Sequence, residues 1–126
     1  MECEIKSNSD LLNGVLLLKD STNFISDAIY PSNITYGYAS YDYPYSSSKP
    51  FLFEDHSFTY TKNTWNKFKL ELKSNTLYYY LYDSNGTLLT SKTVTLPSKY
   101  QNSNLYFCPV AYEGTAQFKN VLIKPL

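Results

Sequence analysis

Apolar and polar residues alternate in short runs along most of the chain, and the clearest run follows Trp65. Phe68, Leu70 and Leu72 would point one way from a strand there, and the charged residues between them would point the other way. A strand of this kind has one face in the core and one face in water. Because similar runs recur between turn residues and helix signals are nearly absent, the pattern predicts an all-β chain.

The run from Leu77 to Tyr82 differs, because tyrosines occupy one whole face of the predicted strand. These tyrosines are Tyr78, Tyr80 and Tyr82. Asn85-Gly86 follows as the strongest hairpin signal in the chain, since both residues accept the positive φ that tight turns require. We expect 87–96 to return as the partner strand, which Pro97 ends.

Further strands are predicted at 3–6, 15–18, 24–25, 34–39, 58–61, 105–110 and 116–123. Asn13-Gly14 predicts a turn before Val15 to Leu18, an apolar run that is typical of a strand buried on both faces. Lys119-Asn120 predicts a bulge that keeps the apolar residues around it on one face. Short strands joined by regular turns predict a two-sheet antiparallel β-sandwich, or jelly roll, as a single domain at 1–126.

Length and charge limit the classes of partner. The chain has 126 residues, which suits one core, and its 11 basic residues balance 11 acidic ones. Without a net charge to attract polyanions, we expect no nucleic-acid partner. The longest apolar run is Val15 to Leu18, far short of the ~18 residues that cross a bilayer, so no membrane insertion is expected. Met1 is not followed by a basic and apolar leader, so we expect any export signal to lie outside this chain.

The two cysteines, Cys3 and Cys108, are too few and too far apart in sequence for a metal site. Two interpretations stay open. They are either unconnected, mostly buried thiols or a disulfide that joins the first strand to a late one.

A resemblance enters with TWNKFKLELKSNTLYYYLYDSNGTLL and the later AQFKNVLIKPL. The pattern falls on Trp65, Phe68, Leu70, Tyr79, Tyr82, Asn85, Gly86, Phe118, Asn120, Val121 and Ile123. It resembles the concanavalin-like lectin and glucanase (laminin G-like) jelly-roll superfamily, which occurs in microbial adhesin-like and viral tail or fibre proteins. Members usually carry another strand before the first one here. The resemblance therefore implies a module, or the C-terminal piece, of a longer protein at a cell surface, outside the cell or on a virion.

Hydrolysis is disfavoured by the placement of the carboxylates. A retaining glucanase needs two carboxylates about 5 Å apart on one face. Glu54-Asp55-His56 is the nearest acidic cluster, but adjacent strand residues face opposite sides, and the segment reads as a solvated turn. Only Glu54 or Asp55 facing Glu71 or Glu113 across a cleft would restore a catalytic pair. We expect no enzyme and no catalytic residue.

A metal or other cofactor is not predicted, with calcium as the alternative. Calcium takes six to eight oxygen ligands, and no contiguous loop carries a D-x-D-x-D spacing. The fold would have to bring together side chains that lie far apart in sequence: Asp20, Asp27, Asp42 and Asp83.

Tyrosines supply the candidate ligand-binding residues, because sugars stack on aromatic rings and pair with Asp and Asn side chains. One set is the stripe of Tyr78, Tyr80 and Tyr82, whose alternative role is cross-strand packing beneath the other sheet or a loop. The other set lies in the segment from Tyr41 to Pro50, which prolines and serines predict to be a surface loop. This second set consists of Tyr41, Asp42, Tyr43 and Tyr45.

Two functions from different classes follow. The first is a non-catalytic module that recognises a cell-surface carbohydrate as part of an adhesin or a virion attachment protein. The second is a structural domain that assembles with copies of itself or with neighbouring domains and takes no small ligand, since tyrosines also favour protein interfaces. A glycan reader requires an accessible groove with several ring faces and at least one Asp or Asn among them, whereas an assembly module would bury those tyrosines against a symmetry mate.

Overall fold

The computed structural model describes residues 1–7, 13–31, 36–44, 51–61, 63–111 and 116–124. They form ten strands: β1 (Glu2–Ser7), β2 (Asn13–Asp20), β3 (Asn23–Pro31), β4 (Tyr36–Tyr43), β5 (Phe53–Asp55), β6 (Trp65–Lys73), β7 (Thr76–Tyr82), β8 (Leu88–Thr95), β9 (Tyr106–Ala111) and β10 (Ala116–Leu122). A 3-10 turn at Ser98–Tyr100 lies between β8 and β9. Within the described ranges, no helix is long and apolar enough to cross a membrane.

The strands form two five-stranded sheets. Sheet A has the order β10-β1-β6-β7-β8, and sheet B has the order β5-β4-β3-β2-β9. Neighbouring strands are antiparallel throughout both sheets. Across the sandwich, β8 lies next to β5 and β1 lies next to β2. The prediction of an all-β, two-sheet antiparallel sandwich is confirmed.

The core lies between the sheets and follows the predicted alternation. On β6, Phe68, Leu70 and Leu72 are buried, and the residues between them are more exposed. On β7, the face opposite the tyrosine stripe is fully buried. Sheet B contributes Val15 and Leu17 from β2 to the same cluster. Alternation predicted these faces correctly because each strand has one sheet to pack against and one side in solvent.

Two local features are also confirmed. Gly86 adopts a positive φ of 79° in the β7–β8 hairpin, where the Asp83 carboxylate accepts hydrogen bonds from the backbone of Asn85 and Thr87. On β10, the register against β1 shifts across 119–122, and Asn120 has a φ of 52°. This irregularity is the bulge that Lys119-Asn120 predicts.

Four predictions of local structure are wrong. Asn13 and Gly14 do not form a turn before the strand but are the first two residues of β2. Gly14 packs closely on β3, where a side chain would meet the Asp27 backbone. The run at 15–18 is fully buried only at alternate residues. The 58–61 segment is not a strand; its apolar residues cover the core from an irregular segment. Residues 41–43 belong to β4, as described below, whereas 32–35 and 45–50 lie outside the described residues.

Both cysteines are free thiols. Cys3 is buried between the sheets, where burial raises its pKa to about 12. Cys108 is exposed because β9 is the edge strand of sheet B. The interpretation as unconnected thiols is confirmed, but the expectation that both are mostly buried is wrong for Cys108.

Candidate functional site

The residues of the predicted loop around Asp42 lie on a strand, and their side chains are divided between its two faces. Tyr41, Asp42 and Tyr43 are consecutive residues of β4, so their side chains point to alternate faces of sheet B. The prediction of a surface loop is therefore wrong for these three residues. The run of prolines and serines that suggested it begins only at Pro44, where the strand has ended. Tyr45 lies outside the described residues.

Asp42 faces the interior and holds the connection between β8 and β9. Its carboxylate accepts a hydrogen bond of 2.5 Å from the Tyr100 hydroxyl and lies 3.1 Å from Nζ of Lys99. Burial and the hydrogen bond to Asp42 raise the pKa of Tyr100. Asp42 therefore has structural partners and does not lie among the rings of its neighbours.

The rings of Tyr41 and Tyr43 pack on other aromatic rings. Tyr43 stacks on Phe24 with centroids 4.6 Å apart and is 40% exposed. Tyr41 is partly buried and meets Phe51 edge-on at 6.5 Å. With Asp42 on the opposite face, this set lacks the combination of open ring faces and a nearby carboxylate on which its selection as a glycan site depended.

The stripe on β7 lies on the outer face of sheet A. Tyr78, Tyr80 and Tyr82 are each half-buried and point away from sheet B, so they do not pack beneath the other sheet. In the antiparallel register Lys67 is opposite Tyr82 and Lys69 is opposite Tyr80. Residues directly opposite on neighbouring strands are close enough to interact, and this register brings a cation to Tyr80 and Tyr82. The residue opposite Tyr78 is Glu71, and Lys73 reaches the Tyr78 ring diagonally.

A lysine Nζ stands over every ring of the stripe. The distances to the ring centroids are 4.6 Å for Lys67 on Tyr82, 5.4 Å for Lys69 on Tyr80 and 5.5 Å for Lys73 on Tyr78. Contacts of this length are favourable cation–π interactions, worth about 0.5–1 kcal/mol each at exposed sites. The aromatic rings are therefore held in place by neighbouring strands and do not depend on a loop.

Trp65 extends this arrangement at the start of β6. Its ring lies 4.2 Å from Nζ of Lys119, which β10 supplies from two strands away. We call the whole set the aromatic–lysine ladder: Trp65, Tyr78, Tyr80, Tyr82, Lys67, Lys69, Lys73 and Lys119. The prediction included its tyrosines but omitted Trp65 and the lysines. The two-residue turn at Ser74-Asn75 is the sequence signal for the β6–β7 register, whereas the approach of Lys119 requires the tertiary fold.

The two ends of the ladder differ in charge pairing. At one end the Glu71 carboxylate lies 3.0 Å from both Lys69 and Lys73, and hydrogen bonds from these lysines lower the pKa of Glu71. At the other end, no acid in the described part of the chain lies within ion-pairing distance of Lys67 or Lys119. The ladder thus has two lysines without an ion-pair partner among the described residues.

Glu54-Asp55-His56 is not the solvated turn that the sequence suggests, because β5 ends on Asp55. Asp55 is buried, accepts hydrogen bonds from Ser57 N and Thr90 Oγ1, and lies 3.5 Å from Nζ of Lys92. Burial opposes its ionisation, but these hydrogen bonds and the Lys92 charge outweigh burial and lower its pKa to about 2.

The geometry does not assemble a catalytic carboxylate pair from these residues. Glu54 bonds to His56 at 2.6 Å on the exposed side of β5. Glu71 lies on the outer face of sheet A with its lysines, so it does not face Asp55. Glu113, the remaining residue considered for this role, lies outside the described residues.

The aspartates considered for calcium are separated. Asp20 accepts hydrogen bonds from Thr22 and Asn23 in a tight turn, and Asp83 holds the β7–β8 hairpin. Asp27 is buried and accepts a hydrogen bond of 2.8 Å from Tyr38. Over the described ranges, no group of three or more His, Cys, Asp or Glu side chains is placed to hold a metal ion.

No family model, no curated protein and no solved structure matches this chain. The outer face of sheet A is therefore interpreted from its own geometry. It presents aromatic rings and ammonium groups on rigid strands, a combination suited to stacking, hydrogen bonding and ion pairing with a ligand.

Proposed function

We propose that the domain is a non-catalytic binding module that recognises a cell-surface carbohydrate through the aromatic–lysine ladder. The observation that carries this proposal is the row of half-exposed rings on the outer face of sheet A. As in the concanavalin-like superfamily that the sequence resembles, such a module would serve an adhesin or a virion attachment protein outside the cell.

The spacing of the ladder suits an extended chain of sugars. Every second residue of a strand lies on the same face, so successive rings recur about 6.6 Å apart along β7. Sugar rings present C–H-rich faces that stack on aromatic rings, and lysine ammonium groups donate hydrogen bonds to sugar oxygens. Because β6 and β8 flank β7 on both sides, binding costs little conformational entropy in the backbone.

The ladder replaces the Asp42 set as the proposed site. On β4, Tyr43 already has one face covered by Phe24, and Asp42 bonds to Tyr100. On β7, each ring has a lysine as its neighbour, which can move aside or contact the ligand.

A glycan array tests the proposal with three forms of the purified domain. The first is unchanged, and the second carries Tyr80→Thr and Tyr82→Thr, which remove the rings but keep residues of high strand propensity. The third carries Tyr106→Thr, a control on β9 of sheet B, where Tyr106 is 61% exposed and is not part of the ladder. We expect binding to fall at least tenfold in the second form and to stay within twofold in the third. Equal binding by all three would contradict the proposed site.

A second candidate function is assembly with another protein surface, and a separate observation favours it. Large apolar side chains are exposed on and beside β10, the edge strand of sheet A: Phe118, Val121, Leu122 and Ile123. An exposed apolar edge strand can pair with another chain. If no glycan on the array binds and analytical ultracentrifugation shows a concentration-dependent oligomer, assembly would be favoured over glycan binding.

A further inference from the structure

We propose that the ladder selects acidic glycans, in particular polysaccharides that carry carboxylates along the chain. This inference rests on the proposed function and names the class of sugar. A neutral sugar that stacks on Tyr82 or Trp65 must first displace the ammonium group that stands over the ring. A uronate can instead pair its carboxylate with that ammonium group while its C–H face lies beside the ring.

The charges of the outer face of sheet A are unevenly matched. Strand parity places these charged residues on that face: Lys6, Lys67, Lys69, Lys73, Glu2, Glu4 and Glu71. Lys119 joins them over Trp65. Lysines therefore outnumber glutamates on this face, although the chain as a whole has a formal net charge of zero. The balance that disfavours polyanions for the whole molecule does not hold for this surface.

The binding site for a carboxylate is the end of the ladder formed by Lys67 and Lys119, whose ammonium groups donate hydrogen bonds to it. Glu4 on β1 lies between them in register, opposite both lysines. Its carboxylate accepts a hydrogen bond from Nδ2 of Asn120 and forms no ion pair with either lysine in the described structure. Because Glu4 is the nearest negative charge, it opposes an incoming anion and limits affinity.

Nucleic acid fits this surface less well. The excess of lysine over glutamate is small, and duplex binding draws most of its affinity from neutralising many phosphates at once. The ladder also has one cation per tyrosine ring along a single strand. Carboxylates spaced along a sugar chain can pair one at a time with Lys67 and Lys119, which have no ion pair among the described residues.

The test compares polymers that differ only in charge. Polygalacturonate and hyaluronate are each measured against their methyl esters by isothermal titration calorimetry with the unchanged domain. We expect at least tenfold tighter binding of the acid form of one or both polymers, with the difference shrinking as salt is raised. No preference for either acid form would overturn the inference, as would equal binding of a single-stranded oligonucleotide.

Three variants locate the effect. Lys67→Gln with Lys119→Gln should weaken binding of the acid polymer at least fivefold and should not weaken binding of the ester, which no longer has to displace an ammonium group. Glu4→Gln keeps an acceptor for Asn120 but removes the negative charge, so it should tighten binding of the acid polymer severalfold. Lys19→Gln on β2 is the control lysine on the other sheet and should change neither. Unchanged affinity for the acid polymer in both the Lys67/Lys119 double variant and the Glu4 variant would overturn the assignment.

Failure of the inference and failure of the proposed function give different results. A neutral glycan that binds in the array, and whose binding needs Tyr80 and Tyr82, would keep the module and exclude the acidic preference. If no glycan on the array and no polymer binds, both the proposed glycan-binding function and the acidic preference would be excluded, and the assembly function would be favoured.

Discussion

The two lateral edges of the sandwich are built from different chemistry. At the edge formed by β5 and β8, the buried Asp55 carboxylate of sheet B bonds to Thr90 of sheet A and pairs with Lys92. Phe53 beside it packs edge-on against Tyr38 and Tyr79 at 5.3 and 4.8 Å. This edge is closed by polar and aromatic contacts that cross between the sheets.

The opposite edge, formed by β9 and β10, exposes apolar residues. Val121 is 48% exposed and Ile123 is 52% exposed, although their sequence pattern is that of core residues. A cavity of about 610 Å³ opens near this edge, with Leu72, Phe107 and Leu122 in its lining. Alternation therefore defines the two faces of a strand, whereas the burial of each face depends on what covers it.

The largest effect is expected at the closed edge. Asp55→Ala removes the carboxylate that joins β5 to β8 and leaves Thr90 and Lys92 without their partner, which should cost about 3 kcal/mol in the free energy of unfolding. Urea denaturation measures this change. Glu54→Ala, next to it on the exposed side, is the control and should cost under about 1 kcal/mol. Similar losses in both variants would refute the structural role of Asp55.

Acid should weaken the closed edge in the same way. The pKa of Asp55 is lowered to about 2, so its contribution is present above the unfolded value and is lost as pH falls through about 4 towards 2. A shift of this size corresponds to roughly 2 kcal/mol. Asp55→Asn should therefore have a shallower loss of stability over this range in urea melts at successive pH values. Parallel profiles for the two proteins would contradict the assignment.

The sequence predicts the strand faces of the sandwich but not the contacts that close the edge formed by β5 and β8. The faces of β6 and β7 were predictable because alternate residues differ in character and so identify the buried and the exposed face. Asn85-Gly86 predicted the hairpin between β7 and β8. The closed edge was missed because Asp55 reads as polar and therefore exposed. Its burial depends on Thr90 and Lys92, which are distant in sequence and are brought near by the packing of the two sheets.

The candidate site was predictable to a similar extent. The tyrosine stripe followed from parity alone, and the lysines on β6 from the tight turn that fixes the register against β7. Trp65 with Lys119 was not predictable, because β1 inserts between their strands. The prolines did not predict the division of Tyr41 from Asp42, because Pro44 follows the last residue of β4 and leaves the strand intact.

Asp27, at the centre of the core, affects the pH dependence of stability in the opposite direction to Asp55. Its contribution must be separated before the acid measurement on Asp55 is interpreted. Burial raises its pKa although Tyr38 donates a hydrogen bond to it, and its Oδ1 atom is buried with no partner among the described residues. The folded state keeps a proton that the unfolded state releases above about pH 4, so Asp27 lowers stability as pH rises.

Asp27→Asn should remove this decline, because the amide cannot ionise and its oxygen still accepts from Tyr38. Urea melts between pH 4.5 and 8 should give a flatter stability profile for the variant, and its advantage should be largest at the highest pH. An unchanged slope would mean that Asp27 is ionised in the folded protein. In the Asp27→Asn background, the acid loss due to Asp55 can be measured without the opposing contribution.

The smallest change in folding free energy is expected at the open edge. Val121→Lys places a charge on an exposed position of β10, so the free energy of unfolding should change by no more than about 0.5 kcal/mol. Self-association should weaken, because a lysine on an edge strand opposes pairing with another chain. Sedimentation equilibrium over a range of concentrations measures this. Ser91→Lys places the same charge on β8, the other edge strand of sheet A, and is the control that assigns any effect to the β10 edge. Monomers at all concentrations in the unchanged protein would exclude self-assembly through β10, whereas a stability loss as large as that of Asp55→Ala would show that this edge is part of the core.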